Sequence, residues 1–439
     1  MCPRPLHVVI TTGALALAGC SLVLDPSDYV GDADAGETPP PPVAPPPGAC
    51  DPLSSEAPPW RGCPFVQQGP ASFDVPLATG ELALAVVPGG DTVRGFGAIG
   101  FVEADDDVTI GTFAIEDIDL SNPFELDDMV PILGARTLAL RGLDENFVAI
   151  NLVSGSMIDE SVRGWIGRVS ADDVFELTEL YDQGSELLAR AGITGGFVPS
   201  PALQVFPLRH VWRARDGMGD RLYSADESGG SQSIVASLTG PTGDRVEVSD
   251  TSGQWIALST DEQVQLWRTD VEGEPQTWPT EDRTGRAAIA ASPSGCHYAL
   301  VYPRTTGLAL VPLRCDRSCS ELEMNGAESV IATEGQPSLP SIAPMADGGW
   351  ALAAAEARDG ANPVVVVRLL ANDLSVLATL DPLTPTGFGD LVAPGYLDVR
   401  IAVAQRMSTH HVVVAASHDQ GESGAATPHW VAAFRGCGG

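Results

Sequence analysis

Short apolar segments alternate with polar turns from about residue 75 to the C-terminus. Segments of this length, rich in β-branched and aromatic residues and separated by Gly, Pro, Asp and Ser, are typical of β-strands. One longer stretch, residues 174–191, fits a helical period, but Gly184 interrupts it. The pattern therefore predicts an all-β protein. The clearest strand segments are residues 82–87, 147–153, 255–258, 264–267, 298–302, 308–313, 364–369 and 412–415.

A repeated unit predicts how the strands are arranged. Ile289, Ile342 and Ile401 are each followed by Ala, at spacings of 53 and 59 residues. Eight residues after the first two, His297 and Trp350 start new strands, each two residues after a Gly. A several-stranded unit that recurs every ~40–60 residues is typical of β-propeller blades. We expect about seven blades, with six to eight allowed, and a pair of β-sandwich domains is the alternative. The units lie near residues 75–125, 130–180, 190–240, 242–280, 284–330, 335–382 and 392–436.

Residues 248–267 add detail to this prediction. They read as a Ser/Gly turn, an apolar strand, an acidic turn and a strand that ends at Trp267. This order resembles a blade of the WD-repeat propellers, although the Gly-His signature of that family is missing. The resemblance implies a ring in which the first strand of each blade lines a channel. The small residues at 287–291 and 401–404 suit such strands.

The N-terminus has the features of an export signal. An apolar stretch that is too short to span a bilayer ends in Leu17-Ala18-Gly19-Cys20. This motif resembles the lipobox of bacterial lipoproteins. The resemblance implies that residues 1–19 are a signal peptide, that Cys20 carries lipid, and that Ser21 favours the outer membrane. We therefore expect an envelope protein anchored to a membrane by lipid, on either the periplasmic or the surface side.

The chain between this anchor and the propeller divides into two parts. Residues 20–49 contain proline runs at 39–42 and 45–47. Such runs form extended polyproline II and cannot build a core, so we expect a semi-rigid tether. Residues 50–74 are expected to be a disulfide-stapled lead-in, ahead of a propeller-like domain at 75–439.

Charge excludes several classes of function. The 439 residues include 58 Asp and Glu but only 24 basic residues, all of them arginine, so the net charge is −34. A net anion is repelled by nucleic acid, and the absence of lysine excludes P-loop, Schiff-base and kinase-type sites. The acidic surface also favours a monomer.

An even number of cysteines in an exported protein predicts disulfides. If Thr305 and Thr306 form a hairpin loop, Cys296 faces Cys315 and can bond to it. We then expect Cys50 to pair with Cys63, and Cys319 with Cys437 beside the last blade. The six cysteines that remain after processing and lipidation are Cys50, Cys63, Cys296, Cys315, Cys319 and Cys437.

Few residue patterns point to catalysis or to a metal. The chain has no Gly-x-Ser-x-Gly elbow, no His-Glu-x-x-His motif and no glycine-rich phosphate loop. No cofactor is expected, apart from calcium as a candidate at the acidic loop. Zinc or copper is a candidate at the histidines, and ordinary polar positions are the alternative for both places. The candidate ligands are Asp105, Asp106 and Asp107 in the acidic loop, and His410 and His411 near the C-terminus.

A basic island is the candidate for ligand binding. Arg209, Arg213 and Arg215 share one strand face under period-2 alternation, and guanidinium groups bind carboxylates and phosphates. Pairing with acidic neighbours inside the fold is the alternative. Together the patterns predict a lipid-anchored binding or scaffold protein, without catalysis, that engages a protein or polysaccharide partner. An extracytoplasmic hydrolase or lyase on the same fold is the alternative function.

Overall fold

The computed structural model describes most of the chain between residues 57 and 437. The ranges outside the description within this span are residues 76–77, 90–94, 104–107, 116–127, 131–134, 143–147, 157–160, 170–173, 183–185, 197–205, 217–218, 227–232, 239–245, 249–254, 260–262, 269–272, 281, 316–319, 334–336, 338, 357–362, 385–396, 407 and 419–426.

The described residues form β-strands and no helix. Within them, therefore, no helix has the length and apolar character that crossing a membrane requires. In chain order the strands are β1 (Phe65–Val75), β2 (Ala78–Val87), β3 (Phe96–Glu103), β4 (Val108–Ala114), β5 (Asp128–Val130), β6 (Ala135–Gly142), β7 (Val148–Ser156), β8 (Ser161–Val169), β9 (Val174–Asp182), β10 (Glu186–Gly196), β11 (Phe206–Asp216), β12 (Gly219–Asp226), β13 (Ser233–Leu238), β14 (Val246–Val248), β15 (Trp255–Ser259), β16 (Gln263–Arg268), β17 (Gln276–Pro279), β18 (Ala288–Ala291), β19 (His297–Arg304), β20 (Gly307–Cys315), β21 (Leu322–Met324), β22 (Ser329–Ala332), β23 (Ser341–Pro344), β24 (Trp350–Glu356), β25 (Val364–Leu370), β26 (Val376–Thr379), β27 (Leu397–Arg406), β28 (Thr409–His418) and β29 (Thr427–Gly436).

These strands assemble into seven antiparallel sheets, which are the blades of a propeller. Blades 1 to 6 are β2–β5, β6–β9, β10–β13, β14–β17, β18–β22 and β23–β26, and blade 7 is β27, β28, β29 and then β1. The first strand of each blade contacts the first strand of the next, and β27 contacts β2, so the described strands close into a ring. The predicted all-β propeller is confirmed, and the β-sandwich alternative is not observed.

The two faces of the ring carry different features. The inner strands begin at one face, which we call the mouth face; it contains Arg286, Ser341 and Asp398. They end at the other, which we call the closure face; it contains the turn between β23 and β24 and the chain around Cys63 and Cys437.

Packing between blades explains why many strands are apolar at every position. On β28, Val412 and Val414 pack in the cluster shared with blade 6, whereas Val413 and Ala415 pack in the cluster shared with blade 1. Both faces of the sheet are therefore buried, so these strands lack the alternation of apolar and polar residues that a half-exposed strand shows. The inner strand β18 is buried along its whole length and consists of small residues around one Ile.

Ring closure joins the two ends of the described chain. Strand β1 pairs with β29, so the N-terminal strand completes the blade that the C-terminal strands form. Cys63 is bonded to Cys437, with their Cα atoms 5.2 Å apart. Trp60 is 2% exposed, and its Nε1 donates a hydrogen bond to the Gly348 carbonyl oxygen at 2.8 Å. Covalent, polar and apolar contacts thus fix this end of the chain to blades 6 and 7.

Two expectations about this region are corrected. The predicted pairs Cys50–Cys63 and Cys319–Cys437 are wrong, because Cys63 and Cys437 are bonded to each other. The segment treated as a lead-in supplies the outer strand of blade 7. Sequence spacing favoured a local pair, whereas ring closure brings together residues 374 positions apart.

The predicted hairpin in blade 5 is confirmed. Tyr298 pairs with Leu313 and Arg304 with Gly307, as a two-residue loop requires. The Cys315 backbone N–H donates to the Cys296 carbonyl oxygen at 2.8 Å, and both cysteines are in disulfide bonds.

The candidate helix at residues 174–191 is not formed. Its described residues belong to β9 and β10, which pair with β8 and β11 respectively. Pairing within blades 2 and 3 thus overrides a weak helical pattern, as tertiary context commonly does.

Candidate functional site

A cluster of charged side chains lies at the mouth face, close to the start of the inner strands. Arg286 precedes β18 of blade 5, and its Nη2 lies 2.7 Å from Asp398 Oδ1 on β27 of blade 7. Arg400 Nη2 lies 3.4 Å from the same oxygen, and Arg400 Nε donates to the Leu82 carbonyl oxygen of blade 1 at 3.2 Å. The three charged side chains are between 5% and 17% exposed. We call them the axial cluster, which links blades 5, 7 and 1.

Two serine hydroxyls next to this cluster join further blades. Ser259 Oγ of blade 4 accepts a hydrogen bond from the Ala287 backbone N–H at 2.9 Å. Ser341 Oγ of blade 6 accepts one from the Ile401 backbone N–H at 3.1 Å. The polar contacts at the mouth face therefore hold the inner strands in a defined arrangement.

A second cluster lies at the interface of blades 4 and 5, toward the mouth face. Arg304 Nη2 is 2.6 Å from Glu328 Oε1, and the two side chains are 22% and 26% exposed. The Tyr302 hydroxyl donates to Glu328 Oε2 at 2.8 Å and accepts from Arg304 Nη2 at 3.1 Å. The guanidinium carbon of Arg304 also lies 5.4 Å from the centre of the Tyr302 ring. The tyrosine thus holds both members of a partly exposed ion pair in place.

The outer strand of blade 4 also carries an aromatic side chain. Trp278 on β17 is partly buried against the apolar cluster that contains Tyr302. Two residues away, Gln276 exchanges two hydrogen bonds with the backbone of Leu322 in blade 5. We call Tyr302, Arg304 and Glu328 together the 4/5 seam.

The protonation state of Tyr302 limits its chemistry. Burial, and then the hydrogen bond to the Glu328 carboxylate, raise the pKa of Tyr302 to about 12. The phenol is therefore protonated at neutral pH and is neither an activated nucleophile nor a base. Its role in the seam is to position the ion pair.

The predicted anion-binding arginines lie on a central strand of blade 3. In the register of β11, Arg209 stands opposite Asp226, and Arg215 stands opposite Asp220 and Glu186. The neighbouring His210 and Val211 are 2% and 0% exposed, so both faces of β11 are covered at that point. Arg213 stands opposite Leu222 and Ala189. Anion binding by these arginines stays a prediction.

The two candidate histidine ligands are directed to different neighbouring blades. His410 contacts Asp347 of blade 6 at 3.4 Å, whereas His411 interacts with the Ile115 backbone of blade 1, so the two imidazoles lie on opposite faces of β28. Burial lowers the pKa of His410, and burial with the nearby Arg435 lowers the pKa of His411 to about 4. Among the described residues no group of three or more His, Cys, Asp or Glu is arranged to hold a metal ion. The calcium candidates Asp105, Asp106 and Asp107 lie outside the described residues.

Sequence reasoning did not find the 4/5 seam or the axial cluster. Tyr302 and Arg304 share one side of β19, which strand alternation alone indicates. Nothing in the sequence links them to Glu328, or links Arg286 to Asp398, 112 residues further along the chain. Strand pairing within blade 5 brings Glu328 to Tyr302 and Arg304, and the ring arrangement of the blades brings Arg286 to Asp398.

No family model and no curated protein matches this chain. Among solved structures, it is similar to the fucose-specific lectin from Aleuria aurantia, with 11% identity over 72% of this chain and 100% of the lectin, at a TM-score of 0.42. It is also similar to the GH93 α-L-arabinofuranosidase of Fusarium graminearum, with 11% identity over 69% of this chain and 92% of that enzyme, at a TM-score of 0.38. TolB from Acinetobacter baumannii is 12% identical over 80% of this chain and 79% of its own, at a TM-score of 0.36.

Proposed function

We propose that this protein is a lipid-anchored binding protein of a bacterial envelope, and that it engages a protein or polysaccharide partner with the mouth face of its propeller. One observation carries the proposal. The chain enters the ring at the closure face, where Trp60 and Cys63 are fixed, whereas the axial cluster lies at the opposite face. We therefore assign partner binding to the mouth face, opposite the N-terminal end of the described chain.

The membrane attachment in this proposal comes from Cys20 and the proline-rich tether. Each buried CH₂ of an acyl chain contributes about 0.8 kcal/mol, so several chains hold even a body with a net charge of −34. The proline-rich residues 39–47 would span roughly 28 Å in polyproline II. Ser21 favours the outer membrane as the site of attachment.

The chemistry of the mouth face supports binding rather than catalysis. Asp398 pairs with Arg286 and Arg400 within the axial cluster, and Arg304 pairs with Glu328 within the 4/5 seam. Tyr302 holds its proton at neutral pH. Side chains held rigidly in this way suit recognition, because little conformational entropy is lost when a partner binds.

Lipidation is tested by growing bacteria that make the protein with an alkyne-tagged fatty acid. We expect label in the wild type, which fractionates with membranes, and no label in Cys20→Ser. Cys2→Ser serves as the control, since that cysteine lies within the predicted signal peptide. Equal labelling of Cys20→Ser and wild type would show that the anchor is elsewhere.

Partner binding is tested with residues 44–439, which form one compact unit, exported so that the disulfides form. Solubilised envelope is passed over the immobilised protein, and a reduced, unfolded sample is the control. Two matched variants place a polyethylene glycol chain on either face: Thr306→Cys on a mouth-face turn and Ala346→Cys on a closure-face turn, both exposed.

We expect the Thr306 label to block capture of the partner and the Ala346 label to leave it unchanged. Capture that is blocked only by the Ala346 label would overturn the assignment of the mouth face. Turnover of an envelope polymer by the same protein would overturn the assignment as a binding protein and favour a hydrolase or lyase.

A further inference from the structure

The disulfide bonds of the ring constrain the cysteine that precedes it. Cys63 and Cys437 are bonded to each other, so neither is available to Cys50. Cys296 and Cys315, in blade 5, are both in disulfide bonds as well. We propose that Cys50 is bonded to a cysteine of blade 5, so that residues 50–63 form a strap across the closure-face ends of blades 5, 6 and 7.

The remaining cysteines lead to blade 5 in every complete pairing. The predicted signal peptide removes Cys2, and lipid occupies Cys20. Beside the observed pair, the mature chain then has four cysteines, which are Cys50, Cys296, Cys315 and Cys319. Four cysteines have three complete pairings, and each joins Cys50 to one of the other three. Cys319 also belongs to blade 5, because it lies between β20 and β21 in the sequence. The inference rests on the proposed envelope location, where disulfides form and persist.

Both described cysteines of blade 5 lie at its closure-face end. Cys296 directly precedes β19, and Cys315 is the last residue of β20. The Cys315 backbone N–H donates to the Cys296 carbonyl oxygen at 2.8 Å, so the two residues are neighbours. The N-terminal segment meets the ring on this same face, through Trp60 and Cys63.

The blade repeat places Cys296 beside a surface that the N-terminal segment already covers. Cys296 and Gly349 occupy the same position in blades 5 and 6, each after a glycine with positive φ and directly before the second strand. A Cβ at Gly349 would lie 2.7 Å from Trp60 Cζ2 and 3.5 Å from Pro58 Cγ. Residues 58–60 therefore rest on the position in blade 6 that Cys296 occupies in blade 5.

The chain has the direction and the length that the bond requires. Cys63 is bonded at blade 7, whereas Trp60 donates to the Gly348 carbonyl oxygen of blade 6. Followed toward the N-terminus, the chain thus moves from blade 7 to blade 6, and blade 5 is next in the ring. The segment from Pro58 back to Cys50 reaches about 26 Å when extended. Packed sheets lie about 10 Å apart, so this segment is long enough to reach blade 5.

The bond forms by oxidation of two thiols. One Sγ–Sγ bond forms, and the two electrons and two protons that the thiols lose reduce the disulfide of an envelope thiol oxidase to a dithiol. The tether then begins at Cys50. A pull on the lipid anchor therefore acts on blade 5 and not on β1.

Peptide mapping tests the bond in residues 44–439, exported so that the disulfides form. Free thiols are blocked with N-ethylmaleimide in denaturant, and the protein is digested with trypsin without reductant. Trypsin cleaves after arginine, and at least one arginine separates each of the six cysteines from the next, so every bond joins two different peptides. We expect mass spectrometry to find peptide 44–61 linked to a peptide that contains Cys296, Cys315 or Cys319.

Cys50→Ser tests the same bond from the other partner. We expect this variant to gain one maleimide-reactive thiol per chain, on a blade 5 peptide. Wild type and Ser54→Ala, the matched control in the same segment, should gain none. Near-ultraviolet circular dichroism reports whether each variant is folded.

Two results would overturn the strap: Cys50 of the wild type carries the maleimide label, or it is linked to a cysteine outside blade 5. If lipid labelling and envelope capture succeed in that case, the proposed function stands without the strap. If the linked peptides are found but capture fails, the strap stands and the binding function fails.

Discussion

At the residue scale, Gly349 shows how closely the N-terminal segment packs against blade 6. Its φ is +82°, and a Cβ at this position would lie 2.5 Å from the Leu370 carbonyl oxygen and 2.7 Å from Trp60 Cζ2. Both the backbone conformation and the available space therefore require glycine. The same turn accepts the hydrogen bond from the Trp60 indole.

We predict that Gly349→Ala lowers the free energy of unfolding by about 2–4 kcal/mol, because it adds backbone strain and a clash with Trp60. Gly62→Ala has a φ of +88° but no neighbour within 4 Å, and should cost about 1 kcal/mol. Gly273→Ala meets neither obstacle and should change stability by under about 0.5 kcal/mol. Urea denaturation measures the loss of unfolding free energy in each variant. Equal losses in the three variants would contradict the packing of Trp60.

His411 in blade 7 makes the stability of the protein depend on pH. It is 2% exposed between blades 7 and 1, and its pKa is lowered to about 4, first by burial and then by the charges of Arg435, His410 and Arg406. The unfolded chain, with a histidine pKa near 6.5, binds more protons than the folded chain between these two values. The contribution of His411 to the free energy of unfolding is therefore fully present above about pH 6.5, and it is lost as the pH decreases toward 4.

We predict that this histidine removes roughly 3 kcal/mol of stability between pH 7 and pH 4. In His411→Gln the loss over this interval should be smaller by about that amount, as measured by urea denaturation at a series of pH values. Wild type and variant with the same pH dependence would show that His411 titrates normally. Glu321→Gln, an exposed position, is the control.

At the element scale, strand β1 completes the last blade with the N-terminal end of the described chain. It is the outer strand of blade 7 and the first strand of the described chain, and it meets β29 along most of its length. The register shifts between Gln68 and Ala71, next to Gly69 and Pro70. A bulge with proline on an outer strand is a common protection against pairing with another chain.

We predict that Cys63→Ser with Cys437→Ser destabilises the protein by about 4–5 kcal/mol, since the disulfide restrains a very long loop in the unfolded chain. Amide hydrogen exchange should increase most in β1, which loses its covalent attachment but keeps its strand pairing. Thr305→Ser with Thr306→Ser, at an exposed hairpin loop, is the matched control. Unchanged exchange in β1 would mean that pairing and Trp60 suffice to hold the strand.

At the scale of the whole molecule, the axial cluster connects blades that are not neighbours. Arg286 of blade 5 reaches Asp398 of blade 7, and Arg400 extends the contact to blade 1. Buried ion pairs add little net stability, but removal of one partner leaves an uncompensated charge. The cluster therefore acts mainly on the specificity of blade arrangement.

We predict that Asp398→Ala costs about 3–5 kcal/mol, because two arginines lose their shared carboxylate in a buried site. Replacing Arg286 by Met together with Asp398 by Leu should recover part of this loss. The exposed pair Arg314 and Glu323 is the comparison, and Glu323→Ala should cost under about 1 kcal/mol. An equally small cost for Asp398→Ala, measured by urea denaturation, would exclude a structural role for the cluster.

Local patterns in the sequence determined the strands, the hairpin in blade 5 and the approximate limits of the blades. Strand segments, turn glycines such as Gly295 and Gly348, and the spacing of Ile289, Ile342 and Ile401 act over a few residues or one repeat. These signals are local and can be read directly from the sequence, so the sequence also predicted the number of blades. The candidate helix at 174–191 failed because its residues pair with neighbouring strands.

Only the tertiary structure decided which distant residues meet. The bond between Cys63 and Cys437, the contact of Arg286 with Asp398 and the pairing of β1 with β29 all depend on closure of the ring. Sequence spacing carries no signal for such contacts, because the long-range packing of whole sheets, and not local propensity, sets the distances between them.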